Sequence, residues 1–402
     1  MTLDGAGARS GRLTVRGGAT LERALANTVA RVGEAVGATV APSHLRALLL
    51  IGGYGRGEGG VERSGDAERP HNNLDFLLVL TPLGRLRAGA IRAAVDAALA
   101  PLARACGVGL DVGTVGELEL SLAPKRVMWC DARAGHRLVL GGPEAVRRLF
   151  DRFDQPDLED VGALLVNRAT LLVLDRVLLS EAPPSPRRDR AIVRHAMKAV
   201  VGAGDAWLAT RGRYHPSYLE KRRRLFASSE ASPALVAAYA RAIEFRLEPR
   251  YERFEGVDLR EWTEEVVSAV EPIHLAVEAS LLGRPGLSWS SFPHEAPRRA
   301  GVALLARPRG WPSALLEGLR GRRPLLDRAA RLRLALPGVL YARRADVLEA
   351  FAREVLGLDG RASATATRRA YLAAWAGHAD PNFASSMRAL GVSAESLVGE
   401  AA

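Results

Sequence analysis

Gly52-Gly53-Tyr54-Gly55-Arg56-Gly57-Glu58-Gly59-Gly60 is the stretch whose reading decides the fold of this chain. Glycine at this density lets backbone N–H groups approach phosphate oxygens with no Cβ in the way. The apolar run Leu45–Ile51 leads into it and reads as a buried strand. Beyond it lies a polar interval, 61–73, holding Gly65, Pro70 and scattered charges, and then a second apolar run, Leu74–Leu80, broken only by Asp75. Three phosphate-binding loops compete for the glycines. A P-loop ends in Gly-Lys-Ser/Thr, which is absent, and the lysine, HRD and DFG elements of a kinase are not found. Gly55, Gly57 and Gly60 do satisfy GxGxxG, with Asp75 near the spacing of a ribose-binding acid. That fingerprint needs a helix directly after the glycines, however, and 61–73 carries no apolar stripe. The unit reads as strand–loop–strand. A purely structural glycine hairpin is the remaining rival.

Carboxylates follow the loop. Residues two apart on a strand share a face, so Asn73 and Asp75 point together. A third strand is expected at 108–115, where Asp111 alternates with Gly109 and Gly113 while Val108, Leu110 and Val112 take the opposite face. A buried structural Asp needs a partner more than it needs space, and here glycines leave space beside the acid. Asp75 and Asp111 are therefore candidate metal ligands; the alternative is an Asp that caps or ends a strand.

Outward from this centre, residues 19–36 carry apolar residues at helical spacing, 86–106 reads as an alanine-rich helix, and 137–140 as a fourth strand. After about residue 153 strand signals fade. Helical patterns occupy 158–179, 189–210, 233–245 and Leu259–Leu282, with Pro183-Pro184-Ser185-Pro186 separating the first two. Residues 283–312, rich in proline, glycine and arginine, read as a connection. The expected organisation is a flexible tail at 1–18, an α/β domain at 19–155, a helical domain at 156–285, and a linker with a second helical segment at 286–402.

The chain has 402 residues, long for one hydrophobic core, and two or three domains are expected. It lacks an apolar run of membrane-spanning length and an N-terminal apolar leader; two cysteines, Cys106 and Cys130, form no CxxC pair. A cytoplasmic protein with no membrane partner is the expectation. The net charge of +11 points to a polyanionic partner such as RNA or nucleotide phosphate. Yet only three residues are lysine (Lys125, Lys198, Lys221), and arginine, alanine and glycine enrichment is also the footprint of GC-rich coding, so charge alone does not decide. The histidines show no HExxH spacing and no GxSxG elbow is present, so a zinc site and a serine nucleophile are not expected.

An apolar strand, Gly52-Gly53, a loop, Asn73-Leu74-Asp75 on the next strand and Asp111 on a later one together resemble the nucleotidyltransferase superfamily. The glycine stretch is especially similar to its PII uridylyltransferase branch, and the pattern to kanamycin nucleotidyltransferase; the resemblance covers about residues 45–142. It implies an α+β fold, a polymerase-β-like palm followed by a C-terminal all-helical region. It implies transfer of a nucleoside monophosphate from ATP or another nucleoside triphosphate to a hydroxyl acceptor, whether small molecule, protein or RNA. Asp75 and Asp111 would be catalytic. With Asn73 they would ligate Mg²⁺ or Mn²⁺. Gly52 and Gly53 would cradle phosphates, and Arg56 would offer them a guanidinium fork, unless it is simply a solvated loop arginine. In the helical half, Arg194, Lys198, Val201 and Asp205 share a helix face. Lys198 is the candidate clamp on the triphosphate, the alternative being a surface salt-bridge stripe. The run Lys221-Arg222-Arg223-Arg224 reads either as an RNA contact or as a solvated helix end.

Two departures from the family pattern stand out. Asn73 occupies the position of the first Asp of Asp-x-Asp, and an amide oxygen ligates a hard cation without offsetting its charge. The interval to Asn73 is also long, and its extra acids, Glu62, Asp66 and Glu68, are candidates to restore the missing carboxylate. The alternative function is therefore a catalytically weakened relative that binds nucleotide as a regulator. An unrelated helical scaffold or RNA-binding protein is the third reading.

Overall fold

The apolar runs on either side of the glycine stretch are adjacent strands of one sheet. In the computed structural model, which describes residues 11–297, 328–378 and 381–392, the chain is mixed α+β with helices predominating. It divides into two compact units, residues 1–161 with 211–250, and residues 162–210 with 251–402. Residues 211–250, which the sequence reading assigns to the helical domain, thus group with the first unit.

The first unit is built on β1 (Leu45–Ile51), β4 (Leu74–Leu80), β5 (Leu110–Gly116) and β6 (Arg137–Gly141), in the order β5-β4-β1-β6. β1 is antiparallel to both β4 and β6, whereas β4 and β5 run parallel. A parallel pair needs a crossover. The helix expected at 86–106 supplies it as α4 (Ala88–Cys106), preceded by the short α3 (Pro82–Leu86). Before the sheet comes α1 (Ala19–Thr39), whose Leu21, Leu25, Val32 and Val36 form its buried stripe. Leu48, Leu50, Phe76 and Leu78 pack with α1 and α4 on one face of the sheet. Ala47, Leu49, Leu77 and Val79 pack on the other with Leu120 of α5 (Glu117–Leu122), Trp129 and Cys130 of α6 (Val127–Ala134) and Phe150 of α7 (Pro143–Phe150). Burial of both faces explains why β1 and β4 are nearly continuous apolar runs.

Two expectations need correction. The interval 61–73 is not an open loop: β2 (Val61–Ser64) and β3 (Ala67–Pro70) pair antiparallel as a hairpin. Its tight turn is permitted by Gly65 at φ +58. Nor is the whole of 1–18 a loose tail. Residues 1–10 lie outside the described residues, but Leu13 and Thr14 are buried, the Leu13 carbonyl accepts from Gly59 N at 3.0 Å, and Glu22 accepts from both their amides. The segment closes over the end of the glycine stretch.

Two helices follow in the first unit, α10 (Tyr218–Phe226) and α11 (Pro233–Leu247). The second unit contains most of α8 (Leu158–Glu181), then α9 (Pro186–Ala209) and α12 (Leu259–Leu282), with further helices at Arg328–Leu340, Asp346–Leu356, Ala364–Ala376 and Pro381–Ala389. Part of the expected linker, 298–312, lies outside the described residues. Its preceding portion is not solvent-exposed connection: Leu287, Trp289 and Phe292 are buried, and Trp289 packs against His274 and Tyr341. Among the described residues, no helix is long and apolar enough to cross a membrane.

Candidate functional site

Strand register brings the two acids together. In the parallel β4–β5 pair, Asp75 is the direct partner of Asp111, followed by Leu77 opposite Gly113 and Val79 opposite Val115. Directly paired residues of a parallel ladder point to one side, so both carboxylates stand on the face that carries Leu77 and Val79, at the end where the packed core stops. Ile51, the last residue of β1, pairs with Asp75 from the other side, and the chain turns sharply at Gly52, φ +69. A Cβ at Gly52 would come within 2.8 Å of Asp75 Oδ2, so only glycine permits this approach. Asn73 completes the group, its Nδ2 donating to Asp111 Oδ2 at 2.8 Å. A Cβ at Gly109 would overlap that amide, which accounts for the glycine before β5. Gly52, Asn73, Asp75 and Asp111 therefore meet. Asp111 is exposed and Asp75 half-buried.

After β1 the glycine stretch forms one short helical turn, α2 (Gly52–Gly55), far less than a dinucleotide fold requires. Tyr54 pins it from inside: 2% exposed, its hydroxyl donates to the Gly60 carbonyl at 2.7 Å. Burial pushes this phenol up to about 12, so it stays neutral. Gly53 accepts from Glu58 N at 2.7 Å, closing the turn.

Arg56 has a different place from the one expected. Its side chain is only 5% exposed, with Nη1 on Asp131 at 3.0 Å, Nε 3.8 Å from Glu58 and the guanidinium 4.9 Å above the Tyr218 ring. Burial works against its charge, but Asp131, Tyr218 and Glu58 more than restore it. A guanidinium so committed locks the loop to its surroundings and is not a free fork for phosphate. Glu58, buried beside it, braces the start of α10: it accepts from Tyr218 N at 2.8 Å and from Oγ of Ser217, the helix N-cap, at 2.6 Å. Lys221 also departs from expectation. It is 1% exposed, with its ammonium 4.8 Å from the Tyr214 ring and 5.0 Å from Tyr218, so it is neither an RNA contact nor a solvated helix end. Arg223 and Arg224 of the same run pair with Glu220. Burial pushes the Tyr218 phenol up, yet Arg246, Arg56 and Lys221 outweigh it and hold it below its ordinary value.

Sequence reasoning missed Asp131, Tyr218, Arg246 and the position of Lys221. The only available signal was the rarity of lysine. Lys198 lies on α9 in the second unit, next to His195, whose charged form it disfavours. Of the three insertion acids, Glu62 and Glu68 are engaged locally: Glu62 with Arg69 at 2.8 Å, and Glu68 with Arg63 at 2.8 Å and Gly18 N at 2.6 Å. The Arg63 guanidinium and the Gly18 amide hold the Glu68 carboxyl below its usual range, the amide most strongly.

The donor set Asp75, Asp111 and Asn73 is all oxygen, which suits Mg²⁺ or Mn²⁺, and the missing Cβ at Gly52 leaves room beside it. Among the described residues no cluster of three or more His, Cys, Asp or Glu gathers to hold a metal. Two carboxylates and an amide fit one divalent cation better than a pair. No protein-family model, no curated protein and no solved structure matches this chain.

Proposed function

We propose that the first unit is a polymerase-β-like palm and that the protein is a metal-dependent nucleotidyltransferase, moving a nucleoside monophosphate from ATP or another nucleoside triphosphate to a hydroxyl acceptor. One observation carries the reading: Asp75 and Asp111 are register partners on one sheet face, immediately beside the positive-φ Gly52. Asp75, Asp111 and the Asn73 amide oxygen would hold Mg²⁺ or Mn²⁺. When bound, the ion supplies charge neutralisation of the triphosphate and activation of the acceptor hydroxyl. Gly52 and Gly53 leave a Cβ-free approach for phosphate oxygens, while Tyr54, Arg56 and Glu58 hold that stretch in shape from beneath. The acceptor is a small molecule, a protein or an RNA.

The second reading, a nucleotide-binding regulator, draws support from Asn73. Its amide takes up one oxygen of Asp111, and it brings one negative charge fewer than a carboxylate. One experiment separates the two. The protein is incubated with each α-phosphate-labelled triphosphate, with Mg²⁺ or Mn²⁺ and cell extract, and the label is followed. Label transferred to an acceptor supports the transferase, whereas saturable nucleotide binding without transfer supports the regulator. Neither binding nor transfer would refute both.

A further inference from the structure

A cavity of about 480 Å³ lies within the second unit, between α8, α12 and the helices Arg328–Leu340, Asp346–Leu356 and Ala364–Ala376. Four arginines line it, Arg176, Arg260, Arg343 and Arg368. Arg176 is locked: Nε and Nη2 each donate to a Glu264 oxygen at 2.7 Å, and Nη1 donates to the Leu340 carbonyl at 2.7 Å. The Arg260 guanidinium donates, among the described residues, only to the Leu179 carbonyl, a neutral partner. Arg343 and Arg368 make no hydrogen bond or ion pair with the described residues, and Arg368 Nε is buried with nothing to donate to. A buried donor without an acceptor is costly, and the native fold keeps one here. Burial, and then the Arg176 cation, hold the Arg368 pKa below its ordinary value against the opposing pull of Glu264 and Glu349.

The charge balance identifies the ligand class. The lining acids are Glu264, Asp346 and Glu349. Glu264 is taken by Arg176, and Glu349 by Arg353 at 2.5 Å. That leaves Arg260, Arg343 and Arg368 against Asp346 alone, a surplus of two positive charges. A phosphate monoester, at about −1.5 to −2 near neutral pH, matches that surplus. The volume is in the range of small-molecule sites of about 300–1,000 Å³ and far exceeds a lone phosphate. None of the lining residues is aromatic, so no platform exists for stacking a nucleobase. Asp346, Thr367 and Ser180 instead offer acceptors and hydroxyls suited to the hydroxyl groups of a polyol.

We propose that this cavity binds a small phosphorylated polyol, a sugar phosphate in chemical class, with Arg343 and Arg368 holding the phosphate and Asp346 accepting from a hydroxyl.

The test is isothermal titration of the full chain, in EDTA, with ribose 5-phosphate, inorganic phosphate and ribose. Ribose 5-phosphate is expected to bind at least about tenfold more tightly than inorganic phosphate, a difference of about 1.4 kcal/mol, and ribose not at all. Arg343→Ala and Arg368→Ala are each expected to weaken ribose 5-phosphate at least about tenfold. Arg343 sits in an exposed turn, so its variant should keep the wild-type melting temperature and carry the test even if Arg368→Ala fails to fold. Absence of ribose 5-phosphate binding at millimolar concentration, or binding unchanged in both variants, would overturn the site. Inorganic phosphate binding as tightly as ribose 5-phosphate would overturn the polyol assignment.

Discussion

The two units treat their carboxylates in opposite ways. In the first, Asp75 and Asp111 stand side by side where two strands leave the packed core, with glycine next to them and Asn73 as the neighbour that donates to Asp111. In the second, Asp175 and Glu278 are 0% and 1% exposed, and each is sealed with its own partner. Asp175 Oδ1 meets His195 Nδ1 at 2.7 Å, and burial pushes the carboxyl up and the imidazole down to about 3, so neither charge is favoured. Glu278 receives both Arg333 Nε and Nη2, at 2.9 and 2.7 Å. A sealed, partnered acid answers to packing, and its removal should be read in stability. An acid kept at an open edge beside a residue that must lack a Cβ has no packing explanation, and its removal should be read in binding or chemistry.

The sharpest way to break this comparison is at the open pair. Asp111→Asn is expected to abolish Mg²⁺-dependent triphosphate turnover, or triphosphate binding if the protein is a regulator. Its unfolding free energy should shift by no more than about 0.5 kcal/mol, as for exposed sites generally. A variant that unfolds while wild-type activity proves metal-independent would place Asp111 among the structural acids.

Next in size comes Glu278→Gln, which leaves Arg333 without a counter-charge and should cost about 3 kcal/mol in urea unfolding. Burial raises the Glu278 carboxyl, but Arg333 and His274 pull harder and bring it to about 2, below the ordinary 4.5. A depressed folded-state pKa means that the unfolded chain binds the proton first as pH falls. The stabilisation is therefore complete above pH 4.5 and disappears as pH drops from there towards 2. Unfolding curves across that window should fall more steeply in wild type than in Glu278→Gln; parallel curves would contradict the pairing.

Asn73→Asp tests the open edge from the other direction. If Asn73 is a degenerated ligand, the added carboxylate should raise metal affinity or turnover about tenfold, equivalent to about 1.4 kcal/mol. Because Glu62 and Glu68 are engaged with arginines of the hairpin, neutralising either should leave turnover unchanged. Loss of activity in Glu62→Gln or Glu68→Gln would instead make an insertion acid part of the site.

The smallest expected effect is at Glu58, an acid of the first unit that behaves like those of the second. Glu58→Ala removes the acceptor of Ser217 Oγ and Tyr218 N while the N-cap Ser217 itself stays, and should cost about 1 kcal/mol, measurable by thermal unfolding. A loss of about 3 kcal/mol or more would mean that Glu58, and not Asp131, is the main counter-charge of Arg56.

Short-range pattern carried the strands. The runs at β1 and β4 are legible because burial on both faces makes them continuously apolar, and Asp75 stands out as the single break. The alternation of Asp111 with Gly109 and Gly113 placed both acids on usable faces before any register was known. The hairpin β2–β3 was less visible, because Val61–Ser64 and Ala67–Pro70 are short, charged and half-exposed, with little hydrophobic alternation. The surroundings of Arg56, its neighbour Glu58 apart, were not legible. Asp131, the pair Tyr214 and Tyr218, and Arg246 all lie far from Arg56 in sequence, and each alone looks like an ordinary surface residue.

The sequence by itself determined the strand–glycine–strand centre, the identity of its acids and amide, and the helical character of the remainder. These depend on local periodicity and on the steric needs of single residues. Only the tertiary structure decided that Asp75 and Asp111 are register partners, that residues 211–250 join the first unit, and that Arg56 and Lys221 are interior cations. It alone gathered four arginines from α8, α12 and later segments around one cavity. Long-range pairing of charged side chains leaves no periodic trace, because a buried ion needs only one partner, and that partner can lie anywhere along the chain.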